Sequence, residues 1–360
     1  MTLAHHSADA RFNAHHALQA SIDAFRAGDL SEGSLRTAAS ELRASRWQLQ
    51  QAAGIELLPV GDFAWQDSVL THSLMLGVVA QRFAGSTGRC GLPTLATLFA
   101  MAEEAGSDAD EHARRWFDTD SRYVTPQFSR EQRFQLSWEQ LFEEVDEAQR
   151  LGHAVKPVLI GPLTYLWLGE TTGEPFDKLD LLERLLPLYG EILGRLAGQG
   201  VEWVQIDEPI LALELPQDWK SAFERAYHIL QYSPLKKLLA TYAGALTDNL
   251  GLAACLPVQG LHVDLVQAPE QLAAVLDRVP TYKVLSLGVI DEGDVSVRPP
   301  QLEQVQEAQL RFGDNLWLAG SRALLQCAVN AAEDNLAVLT QAVQLARPGL
   351  AAQGFTGQAV

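Results

Sequence analysis

The chain has 360 residues, 47% of them hydrophobic, and a formal charge of -18 from 27 Lys and Arg against 45 Asp and Glu. So acidic a surface repels phosphate backbones, which argues against nucleic acid as a partner. No apolar stretch reaches the ~18 residues of a membrane span.

The N-terminus, Met1 to His6, has no basic region followed by an apolar one, so no secretory signal is expected. Cys90, Cys255 and Cys327 are far apart, odd in number and without a CxxC pair, which suits a reducing cytoplasm. Residues 14–53 carry Leu18, Ile22, Phe25, Leu35, Leu42 and Trp47 at helical spacing, with Gly28 and Gly33 dividing the run into two helices. A strand is expected over Gly54–Val60, ending in Gly61-Asp62-Phe63. The charged stretch 104–123 reads as a surface loop.

From there, short apolar runs alternate with helix-length segments. Val155–Ile160 runs into Gly161-Pro162, and Trp203–Ile206 ends in Asp207-Glu208-Pro209. Lys237–Ala240 ends in Thr241-Tyr242, and Gly260–Val263 ends in Asp264. Lys283–Ile290 ends in Asp291-Glu292, and Leu316–Gly320 ends in Ser321-Arg322. Helices are expected over 136–152, 178–199, 217–232, 267–278, 299–311 and 330–346. Continuous apolar runs in this rhythm mark buried parallel strands of βα units. The fold expected is an α/β (βα)8 barrel with an N-terminal helical hairpin, a single domain over 1–346 followed by a loose tail over 347–360. Seven strands are plain. The eighth should precede residue 14, where His6–Asn13 is poor in strand formers, so that strand is either short and polar or irregular.

Polar residues at the carboxyl ends of barrel strands are where such folds build their sites. Asp207 and Glu208 could serve as a general acid and base, or could cap strand ends by bonding loop amides. His262 and Asp264, two apart, share one side of a strand; they are either a reactive pair or a hydrogen-bonded layer of the barrel interior. His5, His6, His15 and His16 could bind a metal adventitiously, but without a Cys or acidic partner at fixed spacing they read as disordered or surface histidines. Trp65, Trp116 and Trp167 read as packing.

The strings Leu58-Pro59-Val60-Gly61-Asp62-Phe63-Ala64-Trp65, Lys156–Pro162, Trp203–Pro209 and Gly260–Val266, in this order, resemble the N-terminal barrel of cobalamin-independent methionine synthase. That family pairs two barrels. The resemblance implies that the C-terminal one binds homocysteine and a catalytic zinc, while the N-terminal one helps hold the polyglutamate tail of the methyl-folate donor. The zinc ligands of the family fall here at Ala240, Tyr242, Asp264 and Arg322, so no metal or other cofactor is expected on this chain. Zinc needs three or four converging S, N or O ligands, and an arginine repels it. The basic residues expected to meet the folate tail are reduced to Arg11 and Arg115, so methyl-folate binding is weakened.

The function the resemblance implies is that of a stand-alone counterpart of the N-terminal half, methyltransferase-related but inactive alone, partnered by a separate zinc-barrel protein. The alternatives are a diverged barrel enzyme and a non-catalytic small-molecule-binding protein. For the site, Arg322 is the expected anchor of a small anionic or zwitterionic ligand, with Arg11 or Arg115 assisting, the carboxylates Asp207, Glu208, Asp264 and Asp291 on the opposite side, and His262 as a further binding candidate.

Overall fold

The structure is a computed structural model that describes residues 3–5, 14–88, 91–107, 113–117, 122–290 and 299–321. Eight parallel strands form one sheet. They are β1 (Leu3–Ala4), β2 (Leu58–Val60), β3 (Val155–Ile160), β4 (Trp203–Asp207), β5 (Lys236–Ala240), β6 (Gly260–Asp264), β7 (Val284–Ile290) and β8 (Leu316–Gly320). From β2 to β8 each pairs with the next, β1 pairs with β8, and a single bridge joins the two ends of the sheet. Leu3 lies opposite Trp317 and Ala4 opposite Leu318, while His5 forms a parallel bridge with Leu57 on the other side. The barrel is therefore the expected one. Its first strand is short but apolar, and it precedes the His6–Asn13 segment, which lies outside the described residues, as do the expected helix over 330–346 and the tail over 347–360.

Helices α1 (Ala14–Ala27) and α2 (Glu32–Ala52) form the expected hairpin between β1 and β2. Gly28 turns between them with φ +83°, a conformation open to a residue without Cβ, and Ser31 caps α2 by accepting from the Ser34 N–H. Helix α3 (Ser68–Met75) starts at Asp67, whose carboxylate accepts from the Leu70 N–H at 2.7 Å. It and α4 (Leu95–Ser107) were not foreseen. Nor was the stretch after α4 simply a loop: Ala113–Arg115 pairs antiparallel with Arg122–Val124. The other helices are α5 (Gln140–Arg150), α6 (Pro162–Leu168), α7 (Leu182–Gly198), α8 (Gln217–Leu230), α9 (Leu250–Cys255), α10 (Leu272–Arg278) and α11 (Pro299–Phe312). No helix among the described residues is long and apolar enough to cross a membrane.

Alternation along the strands separates two cores. Val204, Ile206, Leu239, Leu261, Val263, Leu285 and Leu287 belong to the large core between sheet and helices. Trp203, Leu238, Val284 and Trp317, with Leu3 and Leu57 against them, form a second cluster that plugs the barrel interior, and the two indoles lie 4.7 Å apart. Two residues further along the same strands, the interior turns polar. Gln205, His262, Ser286 and His5 are all fully buried there, together with Lys156 of β3. One more step along β4 and β6 brings Asp207 and Asp264 to the mouth.

Candidate functional site

The polar interior is organised by hydrogen bonds. The Lys156 ammonium donates to Gln205 Oε1, so the amide of Gln205 presents its Nε2 to Asp207 Oδ1 at 2.8 Å. Tyr242 directs its hydroxyl at Asp207 Oδ2 from 3.4 Å. On the other side of the barrel, Ser286 Oγ lies 2.6 Å from His5 Nε2 and 2.7 Å from His262 Nδ1. A single hydroxyl proton cannot serve both imidazoles, so at least one ring donates its N–H to the serine oxygen. This serine joins the first strand to the sixth and seventh.

Of the expected acid and base pair, only Asp207 faces open space. Successive residues point to opposite sides, and Glu208 is turned away beneath α6. There it accepts from the Thr164 N–H (2.8 Å), the Thr164 hydroxyl (2.6 Å), the Leu163 N–H (3.3 Å) and the Tyr227 hydroxyl (3.2 Å). Burial pushes its carboxyl up to about 7, against the pull of these four donors. A Cβ on Gly161 would overlap it. Asp264 is a strand-end cap: Oδ2 accepts from the Ser321 hydroxyl at 2.6 Å, and Oδ1 accepts from the Val266 and Gln267 N–H groups. His262 and Asp264 thus sit in consecutive interior layers. Arg115 is exposed on the antiparallel ribbon, opposite Arg122. Arg11, Asp291 and Arg322 lie outside the described residues.

The open space at the mouth is a cleft of about 590 Å³, counting its open side. Asp207 lines it from β4, Asp62 from the end of β2, and Thr71 and His72 from α3; Trp116 and Trp138 supply aromatic walls. His72 is buried, and that burial lowers its imidazole to about 3, so it is neutral. The Tyr189 hydroxyl donates to the Ile160 carbonyl at 2.6 Å, which leaves its oxygen to accept from His72 Nε2–H at 2.9 Å. His72 Nδ1 is then the ring's lone-pair nitrogen. Trp116 is brought over the cleft by the ribbon, which Asp67 ties to α3 by accepting from the Val124 N–H at 3.2 Å. Burial raises the Asp67 carboxyl to about 6.

Sequence reasoning missed Asp62 as a site residue although it saw the strand ending there; its signal was the same as that of Asp207, a carboxylate just past an apolar run. It took Trp116 for packing and had no pattern to find His72 or Trp138, which helix and loop bring in from elsewhere. Two carboxylates beside aromatic walls, in a chain of this charge, favour a ligand with a cationic group.

The positions at which the resemblance implies zinc ligands bring together no set of zinc donors among the described residues. Ala240 carries none, the Tyr242 hydroxyl is directed at Asp207, and both oxygens of Asp264 are engaged by hydroxyl and amide protons. These residues do not fit a tetrahedral zinc site.

The eight parallel strands thus carry a cleft at their carboxyl ends, the end at which barrels of this kind build their sites. The profile of the family described as cobalamin-independent synthase, N-terminal domain, matches residues 8–304, and the chain belongs to that family. Its fold is similar to that of a B12-independent methionine synthase from Shewanella sp. W3-18-1 solved with selenomethionine. That match has a TM-score of 0.64 and 14% identity, over 88% of this chain and 90% of that one. A protein from Listeria monocytogenes, assigned provisionally as a vitamin-B12 independent methionine synthase, gives 0.63 and 13%, over 92% and 93%. A methyltransferase from Methanosarcina mazei gives 0.53 and 13%, over 86% and 85%.

Proposed function

We propose that this barrel binds an amino acid or a related thioether at its mouth and serves methionine and methyl-transfer metabolism beside a separate zinc-bearing barrel. The observation that carries the reading is the cleft itself, with Asp62 and Asp207 on its walls and Trp116 and Trp138 beside them. A carboxylate pair suits an α-ammonium group, and aromatic faces suit an apolar or thioether side chain. The selenomethionine held by the Shewanella relative is a ligand of that class. Arg322, which follows the Ser321 that bonds Asp264, is the proposed partner of the ligand carboxylate. Methyl transfer to a thiol needs a thiolate, which the family generates on zinc; without that donor set this barrel holds a ligand and leaves thiol activation to its partner.

The test is a thermal-denaturation series with L-methionine, L-homocysteine and triglutamate. Ligand at about a hundred times its dissociation constant adds roughly 2.7 kcal/mol of stability. The amino acids should raise the melting temperature, triglutamate should not, and Asp207→Asn should abolish the response. Stabilisation by triglutamate alone, or an Asp207→Asn protein that responds as the parent does, would falsify the reading.

A further inference from the structure

The loop that brings Asp62 to the cleft, Gly61 to Trp65, is held from behind by one side-chain pair on α5. Gln140 Oε1 accepts from two indoles, Trp65 Nε1–H and Trp138 Nε1–H, each at 3.1 Å. Because both contacts are donors, the amide can sit only one way round. Its Nε2 then donates to the Phe63 carbonyl (3.0 Å) and to Glu144 Oε1 (2.8 Å). Glu144, one turn further along α5, accepts from the Gly61 N–H through Oε2 at 2.9 Å. One amide and one carboxylate therefore fix the backbone on either side of Asp62 and the indole of one aromatic wall. Gln140 and Glu144 are 6% and 1% exposed, so losing one of these bonds leaves a buried donor or acceptor without its partner.

We propose that Gln140 and Glu144 are positioning residues for the cleft, and that the charge on Glu144 sets where Asp62 and the Trp138 indole stand. Each oxygen of Glu144 accepts from an N–H donor, so a proton on the carboxyl removes the charge that strengthens both bonds and weakens the hold on Gln140 and Gly61. The surroundings leave the carboxyl poised. Burial raises it to about 7, opposed by the Arg43 guanidinium from α2, whose Nη1 lies 3.9 Å from Oε1. Arg43 also pairs with Glu147 at 2.7 Å and lies over the Phe63 ring at 4.8 Å. The other charged groups facing this point are Asp62 from the loop, Arg36 from α2, and Glu143, Asp146 and Arg150 from α5. Above neutral pH the ionised Glu144 holds the loop together with Gln140; below it the Glu144 anchor is weakened.

The proposal rests on the amino-acid reading of the cleft for its affinity readout but not for its spectroscopic one. In the full chain, the indole N–H resonances of Trp65 and Trp138 are followed across pH 7 by NMR, and L-methionine affinity is measured over the same range by calorimetry. The expected result is a titration of the Trp138 resonance near pH 7, with methionine binding weakening by about tenfold on the acid side, the effect of one lost charge-assisted hydrogen bond. Glu144→Gln should flatten both profiles. Arg43→Leu, which removes the opposing cation without touching Gln140, should move the indole titration to higher pH, and it decides the matter if Glu144→Gln does not fold. An indole resonance that is flat in the parent protein, or a titration unchanged in the variants, overturns the proposal. An indole titration in a protein that binds no amino acid supports the clamp and overturns the ligand reading instead.

Discussion

Gly161 and Glu208 share one volume: the space a side chain would take at 161 is filled by the buried carboxyl group of Glu208. That group bonds the first turn of α6 and the hydroxyl of Tyr227, so it joins β4, α6 and α8 at one point. Gly161→Ala should cost about 1–3 kcal/mol, the usual effect of overpacking a closed core, read as a lower denaturant midpoint at unchanged slope.

Glu208 also makes stability depend on pH. Its folded carboxyl sits at about 7, above its unfolded 4.5, so the native state binds the proton more tightly. The contribution is fully present below pH 4.5 and is lost as pH rises through 7. Glu208→Gln should reduce that decline. It should also lower overall stability by about 1–3 kcal/mol, because an amide NH₂ would face two of the four donors. Chemical denaturation from acid to neutral pH checks both signs.

His72 acts in the opposite sense. Its folded imidazole is near 3 against an ordinary 6.5, so the unfolded chain takes up the proton first. Native stability should fall as pH drops from 6.5 towards 3, at up to about 1.4 kcal/mol per pH unit. His72→Gln keeps a donor for Tyr189 and should flatten that limb. A variant that loses stability in acid as steeply as the parent would show that His72 is not the group responsible.

Tag-free protein should hold no stoichiometric zinc and form no methionine from methyl-folate and homocysteine by itself. Elemental analysis and a methyl-transfer assay test the two statements separately. Near one zinc per chain, lost in Asp264→Ala, would show that Asp264 is a zinc ligand and would overturn the metal-free reading.

The apolar plug predicts a fourth kind of sensitivity. Trp203 and Trp317 fill the barrel floor against each other, so Trp203→Ala should cost about 3–5 kcal/mol. Additivity should fail in the double variant with Trp317→Ala, since the two residues border the same cavity.

The barrel was legible because buried parallel strands leave continuous apolar runs, and those from Val155 to Gly320 coincide with β3 to β8 to within a residue or two. The first strand was not, because two residues, Leu3 and Ala4, carry no periodicity; their strand character comes from Trp317, Leu318 and Leu57. The ribbon at Ala113–Arg115 was hidden by its charge: Arg114 and Arg115 are exposed, while the neighbouring Trp116 and Tyr123 are buried against each other. At the site, the alternation rule could place Asp207 and Glu208 on opposite sides of the chain, yet only the three-dimensional fold shows which side is cleft and which is helix. Asp62 carried a readable signal that was passed over. His72, Trp138 and Gln140 carried none, since each reaches the mouth from a helix or loop whose packing no local pattern records.

The ring of strands joins Leu3 to Trp317, partners separated by nearly the whole chain. A ribosome delivers the first member of that pair long before the second exists. Until β8 emerges, β7 and β1 each present an unsatisfied row of backbone N–H and C=O groups, and the apolar plug lacks Trp317. Closure is the last and longest loop the protein must make, so slow acquisition of native structure and exposure to edge-to-edge association are built into its topology.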